Sequence, residues 1–318
     1  MPIAREKGLK KVMITCHDGN VASEKIIRKN GGVYETTVQV EGQGAIKRFW
    51  IDLEAGKMLS FTPGQAVIEP KLAVEPIPDF PETVVSVFSW QLFDALLAFL
   101  GGEAVGESHS VDGITYIYRV NYRGKTFAFC KASLGAPGCV GLFEEVIAMG
   151  AKRIILTGNC GVLDKSIADC GIILPTSALR DEGTSYHYAP AADRIPVNRQ
   201  YRAEFEKILG ELGYPYIEGT TWTTDAFFRE TPEKIAARKA QGAVCVEMEC
   251  AAMQAMCDYR GVEFFQYLYA GDNLDHPTWD KRSLSGHIRL DEKQKIGLLG
   301  FELAWAITHP QGKNPLSS

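Results

Sequence analysis

Five short segments of the chain are rich in glycine or in acidic, hydroxyl and aromatic residues. They are Ser133-Leu-Gly-Ala-Pro-Gly138, Thr157-Gly-Asn-Cys-Gly161, Arg180-Asp-Glu-Gly-Thr-Ser-Tyr-His-Tyr188, Val246-Glu-Met-Glu249 and Gly271-Asp-Asn273. Carboxylates such as Glu249 and Asp272 are suited to accept hydrogen bonds from hydroxyls or to transfer a proton. Taken singly, none of the five segments is diagnostic, because turn glycines and acidic first helical turns also occur for structural reasons.

The elements that must position these segments alternate between strand and helix from residue 83 onward. Short apolar runs predict strands at 83–88, 115–122, 126–130, 153–157, 171–174 and 263–270. Helical periodicity predicts helices at 90–100 after a Ser89 cap, and at 140–149, 201–212, 231–241, 246–259 and 296–307. This alternation predicts an α/β fold of three layers, with a mixed central sheet flanked by helices. The five segments lie at or just past strand ends or at helix starts, where free N–H groups bind ligands.

The beginning of the chain follows a different pattern. Residues 12–15 predict a strand and residues 20–29 a helix, while 33–40 and 45–53 predict a hairpin. Five prolines then fall between residues 60 and 81, which is typical of an extended linker. The predicted organisation is a small α+β appendage at 1–53, a linker at 54–82 and the main domain at 83–318.

Composition excludes several classes of protein. The chain has 318 residues, 46% of them hydrophobic, and a net charge of −5. It is therefore not disordered, and nucleic acid is not an expected partner. No apolar run reaches the roughly 18–20 residues of a membrane span. The first residues are charged where a signal peptide needs an apolar stretch, so we expect a cytoplasmic protein that does not bind membranes.

Cysteine and histidine spacing indicates neither disulfides nor a metal. The eight cysteines form no Cys-x-x-Cys pair, and many stand among apolar residues, which predicts reduced, buried thiols. The six histidines show no zinc-ligand spacing. We therefore expect no metal and no organic cofactor.

Taken together and in this order, the five segments resemble those of the nucleoside phosphorylase and nucleosidase superfamily, whose members cleave the bond between ribose and base. The resemblance covers the chain from about residue 61 onward. The segment Val246-Glu-Met-Glu249 is similar to the ribose motif of that family. The resemblance implies that Glu249 accepts the ribose 2′- and 3′-hydroxyls, that Met248 packs beneath the sugar and that Glu247 belongs to the same site.

The resemblance also implies a base pocket and a catalytic acid. Phe227, in Thr224-Asp-Ala-Phe-Phe228, stands where the family stacks an aromatic ring on the base, and Cys160 and Gly161 belong to the same pocket. Asp272 stands where purine-cleaving members carry an Asp that protonates N7 of the leaving base. The alternatives are a core position for Phe227 and a helix cap for Asp272.

The identity of the base is indicated less directly. Uridine-cleaving members carry Gln and Arg shortly after the stacking aromatic, where this chain has Thr231 and Glu233. That difference favours a purine or modified purine, although residues 180–190 are typical of members labelled uridine phosphorylase-like. Arg229 and His187 are the polar side chains expected to bind an unusual base edge.

The main departure from the family concerns phosphate. Its phosphorylases bind phosphate with a Gly-Asp-Pro-x-x-Arg turn after the first strand, but this chain has Phe88-Ser-Trp-Gln-Leu-Phe93 there. Leu156 replaces a second arginine, and Asn159 replaces a serine or threonine. A dianion without guanidinium partners is strongly disfavoured, so we expect a nucleosidase in which Ser89 and Asn159 line a water or phosphate site. Arg119, Arg153 or a neighbouring subunit remains an alternative source of charge, and phosphate as a co-substrate is left open.

The first 53 residues resemble a different family. The helix Asn20-Val-Ala-Ser23 and the glycines after it are similar to the C-terminal part of a GNAT acetyltransferase. The strand and pyrophosphate loop that would precede them are not found after Met1, so we expect a non-catalytic module.

The expected partner of the whole chain is a small-molecule nucleoside. The superfamily resemblance also implies a homo-oligomer, a dimer or hexamer. The alternatives are a phosphorylase with a rearranged phosphate site, a non-catalytic nucleoside-binding protein and, less favoured, an acetyltransferase.

Overall fold

The computed structural model describes residue 4, residues 9–53 and residues 61–308. The chain divides into two compact units, Met1–Ser60 and Phe61–Ser318. Residues 54–60 of the predicted linker, and residues 309–318 of the predicted main domain, lie outside the described residues. The division into 1–53, 54–82 and 83–318 stays a prediction.

The smaller unit is a three-stranded antiparallel sheet with one helix. Its elements are β1 (Lys11–His17), α1 (Val21–Lys29), β2 (Val33–Val40) and β3 (Gly44–Asp52), with β3 in the middle of the sheet. Asn20 caps α1 by accepting the Ser23 N–H at 3.0 Å. Ile27 of the helix and Phe49 of the central strand are among the buried apolar side chains. The predicted α+β appendage is confirmed, whereas its kinship to acetyltransferases stays a prediction.

The described part of the larger unit contains one sheet and several helices. Its strands are β4 (Thr83–Val87), β5 (Glu103–Ser110), β6 (Gly113–Tyr122), β7 (Lys125–Lys131), β8 (Arg153–Val162), β9 (Ile172–Asp181), β10 (Arg194–Pro196), β11 (Tyr216–Thr224), β12 (Ala243–Glu247) and β13 (Glu263–Asn273). Its helices are α2 (Pro70–Ala73), α3 (Trp90–Leu100), α4 (Ala136–Met149), α5 (Ser185–Tyr188), α6 (Arg202–Leu212), α7 (Pro232–Ala240), α8 (Cys250–Arg260) and α9 (Leu290–Ile307), with a 3₁₀ turn at Phe227–Arg229.

The strands run in two parallel groups that point in opposite directions. The order is β10-β9-β11-β12-β8-β4-β7-β6-β5, and β13 pairs with both β8 and β9. Strands β4, β7, β8 and β13 are parallel to one another, as are β9, β11 and β12. The two groups join antiparallel at β12–β8 and β13–β9, so that five strands close into a ring. The predicted mixed sheet is confirmed.

Helices cover the sheet with two main apolar clusters. One contains Leu96 of α3, Phe205 of α6 and Phe301 of α9, and the other contains Phe143 of α4 and Met253 of α8. Each of these five side chains is at most 1% exposed. Burying apolar side chains on both sides of a sheet is the main source of stability for such a fold. The predicted layered α/β architecture is confirmed.

Several element boundaries differ from the predicted ones. The predicted helix at 246–259 begins too early, because Val246 and Glu247 belong to β12 and α8 starts at Cys250. Gly242, with φ of +89°, ends the previous helical segment and allows the chain to enter β12. Short apolar runs do not distinguish a buried strand from a helix. Strand β11 was not predicted because its buried half is mostly threonine and contains no apolar run.

Other features of the described residues bear on partners and cofactors. The helices within residues 9–53 and 61–308 are each too short or too polar to cross a bilayer. All eight cysteines are free, and seven of them are buried. Within the same ranges, no three His, Cys, Asp or Glu side chains are grouped so that they could hold a metal ion.

Candidate active site

Three of the five segments, those at 157–161, 246–249 and 271–273, meet at Gly161, near the end of β8. Gly161 is in register with Val246 of β12 on one side and with Asp272 of β13 on the other. A Cβ at this position would lie 3.2 Å from Val246 Cγ1, 3.2 Å from Asp272 Oδ1 and 2.3 Å from a methyl of Leu274. Glycine is therefore required for this close approach. The two groups of parallel strands, which point in opposite directions, join here. Ligands of α/β proteins bind near such changes of strand direction.

Glu247 organises the turn between β12 and α8. Its Oε1 accepts the hydroxyls of Thr223 at 2.6 Å and Thr221 at 3.2 Å. Its Oε2 accepts the backbone N–H groups of Glu249 at 2.7 Å and Cys250 at 2.6 Å, at the start of the helix. Burial raises the pKa of this carboxyl, and the four donors oppose that shift. Protein donors thus occupy both oxygens, while the predicted contact of Glu247 with ribose stays a prediction.

Glu249 is the N-cap residue of α8 and is only 4% exposed. Its Oε1 accepts the backbone N–H of Gly135, in the loop after β7, at 2.6 Å. Burial, together with the charge of Glu247, raises the pKa of Glu249 to about 8. Met248 stands between the two buried glutamates and is itself partly exposed. A buried carboxyl beside an accessible thioether is the arrangement that the ribose prediction needs.

Asp272 lies within β13, not beyond its end as predicted. The strand extends to Asn273 because a register shift between Ala270 and Asp272 carries the pairing past Gly271. Gly271 accommodates the side chain of Asn159, which would be 2.9 Å from a Cβ at that position. The helix-cap alternative is wrong, because α9 begins only at Leu290.

The carboxyl group of Asp272 is buried and hydrogen-bonded. The residue is 9% exposed, and its Oδ2 accepts the indole N–H of Trp279 at 2.7 Å. Burial raises the pKa of Asp272, and the hydrogen bond from Trp279 partly offsets that rise. A carboxyl with a raised pKa can act as a general acid near neutral pH.

The predicted base-binding residues beyond β11 lie on one exposed turn. Phe227 is 47% exposed, and its ring centroid lies 4.1 Å from that of Phe228, which is 86% exposed. The core alternative for Phe227 is therefore wrong. Arg229, which is also exposed, forms no side-chain hydrogen bond or ion pair with any residue that the structure describes. The turn thus presents aromatic surface and a cation to solvent.

Glu230 follows this turn and was not predicted. Its side chain is partly buried, and burial together with the charge of Asp272 raises its pKa to about 7. A second carboxyl is therefore near enough to the predicted catalytic acid for the two charges to interact. No short motif identifies Glu230 in the sequence. A glutamate just before a charged helix is common, because acidic residues favour the first turn of a helix.

His187 and Cys160 have different surroundings. His187 is exposed on α5, in a loop folded around the buried Arg180, whose Nε donates to Ser185 Oγ at 2.8 Å. Cys160 is 4% exposed and donates its S–H to the Tyr269 carbonyl at 3.5 Å. Burial raises the pKa of this thiol well above its usual value. Contacts of either side chain with a base stay predictions.

The two residues predicted to line the water or phosphate site lie on neighbouring strands. Ser89 follows β4 and caps α3, where its hydroxyl accepts the Leu92 N–H at 3.4 Å and donates to Gln91 Oε1 at 3.1 Å. Asn159 lies on β8, against Gly271. Strands β4 and β8 are paired, and both residues stand toward their carboxyl ends.

The alternative sources of positive charge lie elsewhere. Arg153 is the first residue of β8, so its backbone is about 20 Å from Asn159 along the strand, and its guanidinium pairs with Glu263 at 2.7 Å. Arg119 donates to the Asp79 carbonyl at 2.9 Å. Leu156 is fully buried in the core. Within the described part of the chain, neither arginine reaches the region of Ser89 and Asn159.

The sheet thus carries buried carboxyls, Glu247 and Asp272, on the two strands that flank Gly161, at the kind of place where α/β proteins bind small molecules. A family model described as "Phosphorylase superfamily" matches residues 93–291, more than half of the chain. The chain therefore belongs to the phosphorylase superfamily.

Known proteins similar to the chain are nucleoside phosphorylases and nucleosidases. A DeoD-type purine nucleoside phosphorylase of Bacillus thuringiensis (strain Al Hakam) is 26% identical over 160 residues, which span 48% of this chain and 66% of that protein, just under two thirds of its length. The crystal structure of uridine phosphorylase from Vibrio fischeri ES114 aligns with a TM-score of 0.60 at 19% identity, covering 76% of this chain and 97% of that one. AMP nucleosidase from Bacteroides thetaiotaomicron VPI-5482 aligns with a TM-score of 0.56 at 19% identity, covering 73% and 92%.

Proposed function

We propose that the protein cleaves the N-glycosidic bond of a nucleoside. The observation that supports this most is the burial of two carboxyl groups on the chain segments that flank Gly161. Asp272 is in register with Gly161, and Glu249 follows the strand that carries Val246, the other register neighbour. In this proposal Glu249 accepts a vicinal diol and Asp272 protonates a leaving base. Membership of the phosphorylase superfamily is consistent with this chemistry.

In the proposed reaction, the C1′–N9 bond of a purine nucleoside breaks and its electron pair moves to the base. Asp272 in its neutral form donates a proton to N7, which makes the base a better leaving group. Glu249 accepts the ribose hydroxyls and stabilises the developing positive charge on the sugar. A water molecule then bonds to C1′ and gives up a proton to solvent, while solvent reprotonates Asp272; in phosphorolysis a phosphate oxygen would bond to C1′ instead. Phe227 stacks on the base, and Met248 packs against the sugar.

A purine or modified purine is favoured over a pyrimidine. The two positions where uridine-cleaving members bind uracil differ here. Thr231 caps α7 and accepts the Lys234 N–H at 3.4 Å, and Glu233 lies exposed in the first turn of that helix. An acid at Asp272 suits a purine, because N7 lies in the same five-membered ring as the leaving nitrogen. Arg229 and Glu230 follow the stacking ring within three residues, and we assign them to the base edge.

Hydrolysis is favoured over phosphorolysis. Leu156 is buried in place of the family's arginine, and Arg119 and Arg153 are engaged elsewhere. Water needs no cationic partner, whereas a phosphate dianion is disfavoured without one, and neither of these arginines supplies it. A phosphorylase with a rearranged site and a non-catalytic nucleoside binder remain the competing functions.

The test is an assay of base release from adenosine, inosine, guanosine and uridine, with and without inorganic phosphate. We expect purine release in phosphate-free buffer, with free ribose as the sugar product. Strict dependence on phosphate with ribose 1-phosphate as product would reject hydrolysis. Asp272→Asn should abolish release while leaving nucleoside affinity within about threefold. If wild-type protein binds a nucleoside without releasing base, the binding-protein alternative replaces the enzyme.

The expected cytoplasmic location and the dimeric or hexameric assembly also belong to this proposal. The oligomer is tested by size-exclusion chromatography with light scattering on the full chain. A monomer at assay concentrations that retains full activity would show that no neighbouring subunit completes the site.

A further inference from the structure

Lys131 is a cation at the carboxyl edge of the sheet. It is the last residue of β7 and is in register with Val87, the last residue of β4. Its Nζ donates to the Ala132 carbonyl at 3.1 Å and lies 4.5 Å from the ring centroid of Trp90. Trp90 is the first residue of α3, directly after Ser89. The ammonium therefore lies beside the segment where the family's phosphorylases bind phosphate.

The ammonium of Lys131 has no anionic partner within residues 9–53 and 61–308. Lys47 pairs with Glu24 at 2.9 Å and Lys239 with Asp275 at 2.6 Å, but no carboxylate pairs with Lys131. The ionisable groups that act on it are the thiols of Cys130 and Cys139, both of which burial keeps protonated by raising their pKa. Burial lowers the pKa of Lys131 itself. Removing a cation partly from water without an anion costs free energy, which a bound anion would offset.

The backbone joins Lys131 to the ribose carboxylate. Directly after Lys131, the N–H of Ala132 donates to the Val87 carbonyl at 2.9 Å. Three residues later, the N–H of Gly135 donates to Glu249 at 2.6 Å. Because this short loop is fixed at both ends, the ammonium and the carboxylate are held at the same edge of the sheet.

We propose that Lys131 binds a phosphoryl group next to the ribose position, with the Ser89 hydroxyl as a second donor and the Trp90 ring shielding the pair from solvent. A lysine ammonium is a compact point charge suited to a phosphoryl oxygen, and shielding by an aromatic ring strengthens the attraction. The location beside ribose depends on the proposed function, but the anion site itself does not. The phosphoryl group is either inorganic phosphate or the 5′-phosphate of a nucleotide, and the two sources share this chemistry.

The test is isothermal titration calorimetry with three probes: inorganic phosphate, adenosine 5′-monophosphate and adenosine. We compare wild type, Lys131→Met, Lys131→Arg and the control Lys125→Met, which removes an exposed lysine at the other end of the same strand. We expect Lys131→Met to weaken at least one phosphoryl probe tenfold or more. We also expect Lys131→Arg to retain that binding and Lys125→Met to match wild type. Adenosine affinity should change less than threefold.

The outcomes separate the two sources and the two proposals. If Lys131→Met weakens the binding of inorganic phosphate alone, the site holds a co-substrate. If Lys131→Met instead binds adenosine 5′-monophosphate no better than adenosine, the site holds the phosphate of the substrate. Wild-type protein that binds neither phosphoryl probe, or a Lys131→Met protein that is folded by circular dichroism and binds both normally, overturns the proposal. Absence of base release alongside intact, Lys131-dependent anion binding would reject the proposed function and leave the anion site standing.

Discussion

The indole N–H of Trp279 donates a hydrogen bond to Oδ2 of Asp272 at 2.7 Å. An indole nitrogen is only a donor, so Oδ2 must act as an acceptor whether or not the carboxyl is protonated. Because a carbonyl oxygen is a better acceptor than a carboxylic hydroxyl, this bond favours the proton of a neutral Asp272 on Oδ1, the oxygen that lies 3.2 Å from the position of a Cβ on Gly161. Trp279 thus directs the acidic oxygen toward the junction of β8 and β12, where we place the base. This makes Trp279 a positioning residue.

Replacing Trp279 with Phe should shift the pH profile of kcat/KM for a purine nucleoside. The hydrogen bond from Trp279 lowers the pKa of Asp272, so its removal raises that pKa. A general acid is active while protonated, and the alkaline limb should therefore move to higher pH. We also expect kcat to fall about tenfold, because the acidic oxygen is no longer oriented. The measurement is initial rate of base release from pH 5 to 9.

A matched control for that variant exists in the smaller unit. The indole of Trp50 donates to Glu35 Oε1 at 2.8 Å, a pair of the same chemistry outside the proposed site. Trp50→Phe should leave both the rate and its pH profile unchanged. If the Trp279→Phe profile also superimposes on that of wild type, Trp279 does not position the acid.

Replacing Glu249 with Gln should change how stability depends on pH. The pKa of Glu249 is raised to about 8 in the folded state, above the usual range of an unfolded glutamate. Between about pH 4.5 and 8 the folded state thus binds more protons than the unfolded state, and the free energy of unfolding falls as pH rises through that window. Glu249→Gln removes this loss and should be more stable than wild type at pH 8 by roughly 1–3 kcal/mol.

Urea denaturation at pH 5 and pH 8 measures this difference, and Glu247→Gln is the matched control. Both carboxylate oxygens of Glu247 accept hydrogen bonds, from four protein donors in all. In Glu247→Gln the amide nitrogen replaces one of these oxygens, so the donors that faced it lose their acceptor. We expect this to destabilise the fold by roughly 1–3 kcal/mol. The two neighbouring substitutions should therefore have opposite signs at pH 8. The same sign for both would mean that Glu249 is not held as a protonated carboxyl.

Nucleoside binding should release a proton from Glu249 near pH 7. The free site holds this carboxyl largely neutral, and two ribose hydroxyls that donate to it would favour the ionised form. Up to one proton should appear per nucleoside bound, and affinity should increase from pH 6 to pH 8. Calorimetry in buffers of different ionisation enthalpy measures the proton count. Release that persists in Glu249→Gln would assign the proton to another group.

The sequence was sufficient to predict what short-range patterns encode. The alternation of apolar runs predicted the layered α/β fold, and Ser89 was correctly expected to cap a helix. Glu249 and Asp272 were identified because each lies in a compact motif. In the structure, Asp272 of β13 is in register with Gly161 of β8, and Glu249 lies three residues after Val246 of β12, the other register neighbour of Gly161.

Features that depend on distant pairing were not predictable in this way. Lys131, Glu230 and Trp279 stand alone among residues of ordinary composition, and their significance comes only from what β4, β13 and the loops place beside them. The end of β13 was missed because a register shift at Gly271 prolongs the strand through polar residues. Such effects arise from tertiary packing, which cannot be predicted from the local propensity of the sequence.

Replacing Phe227 with Ala should weaken nucleoside binding, because stacking of a base on an aromatic ring contributes roughly 1–3 kcal/mol. That range corresponds to an increase in KM of about fivefold to a hundredfold, with kcat much less affected, since the ring binds the base before and during bond cleavage alike. Phe228→Ala is the comparison, as its ring packs on that of Phe227 at 4.1 Å but is 86% exposed. We expect a smaller effect on KM from Phe228→Ala. A larger effect would instead identify Phe228 as the ring that meets the base.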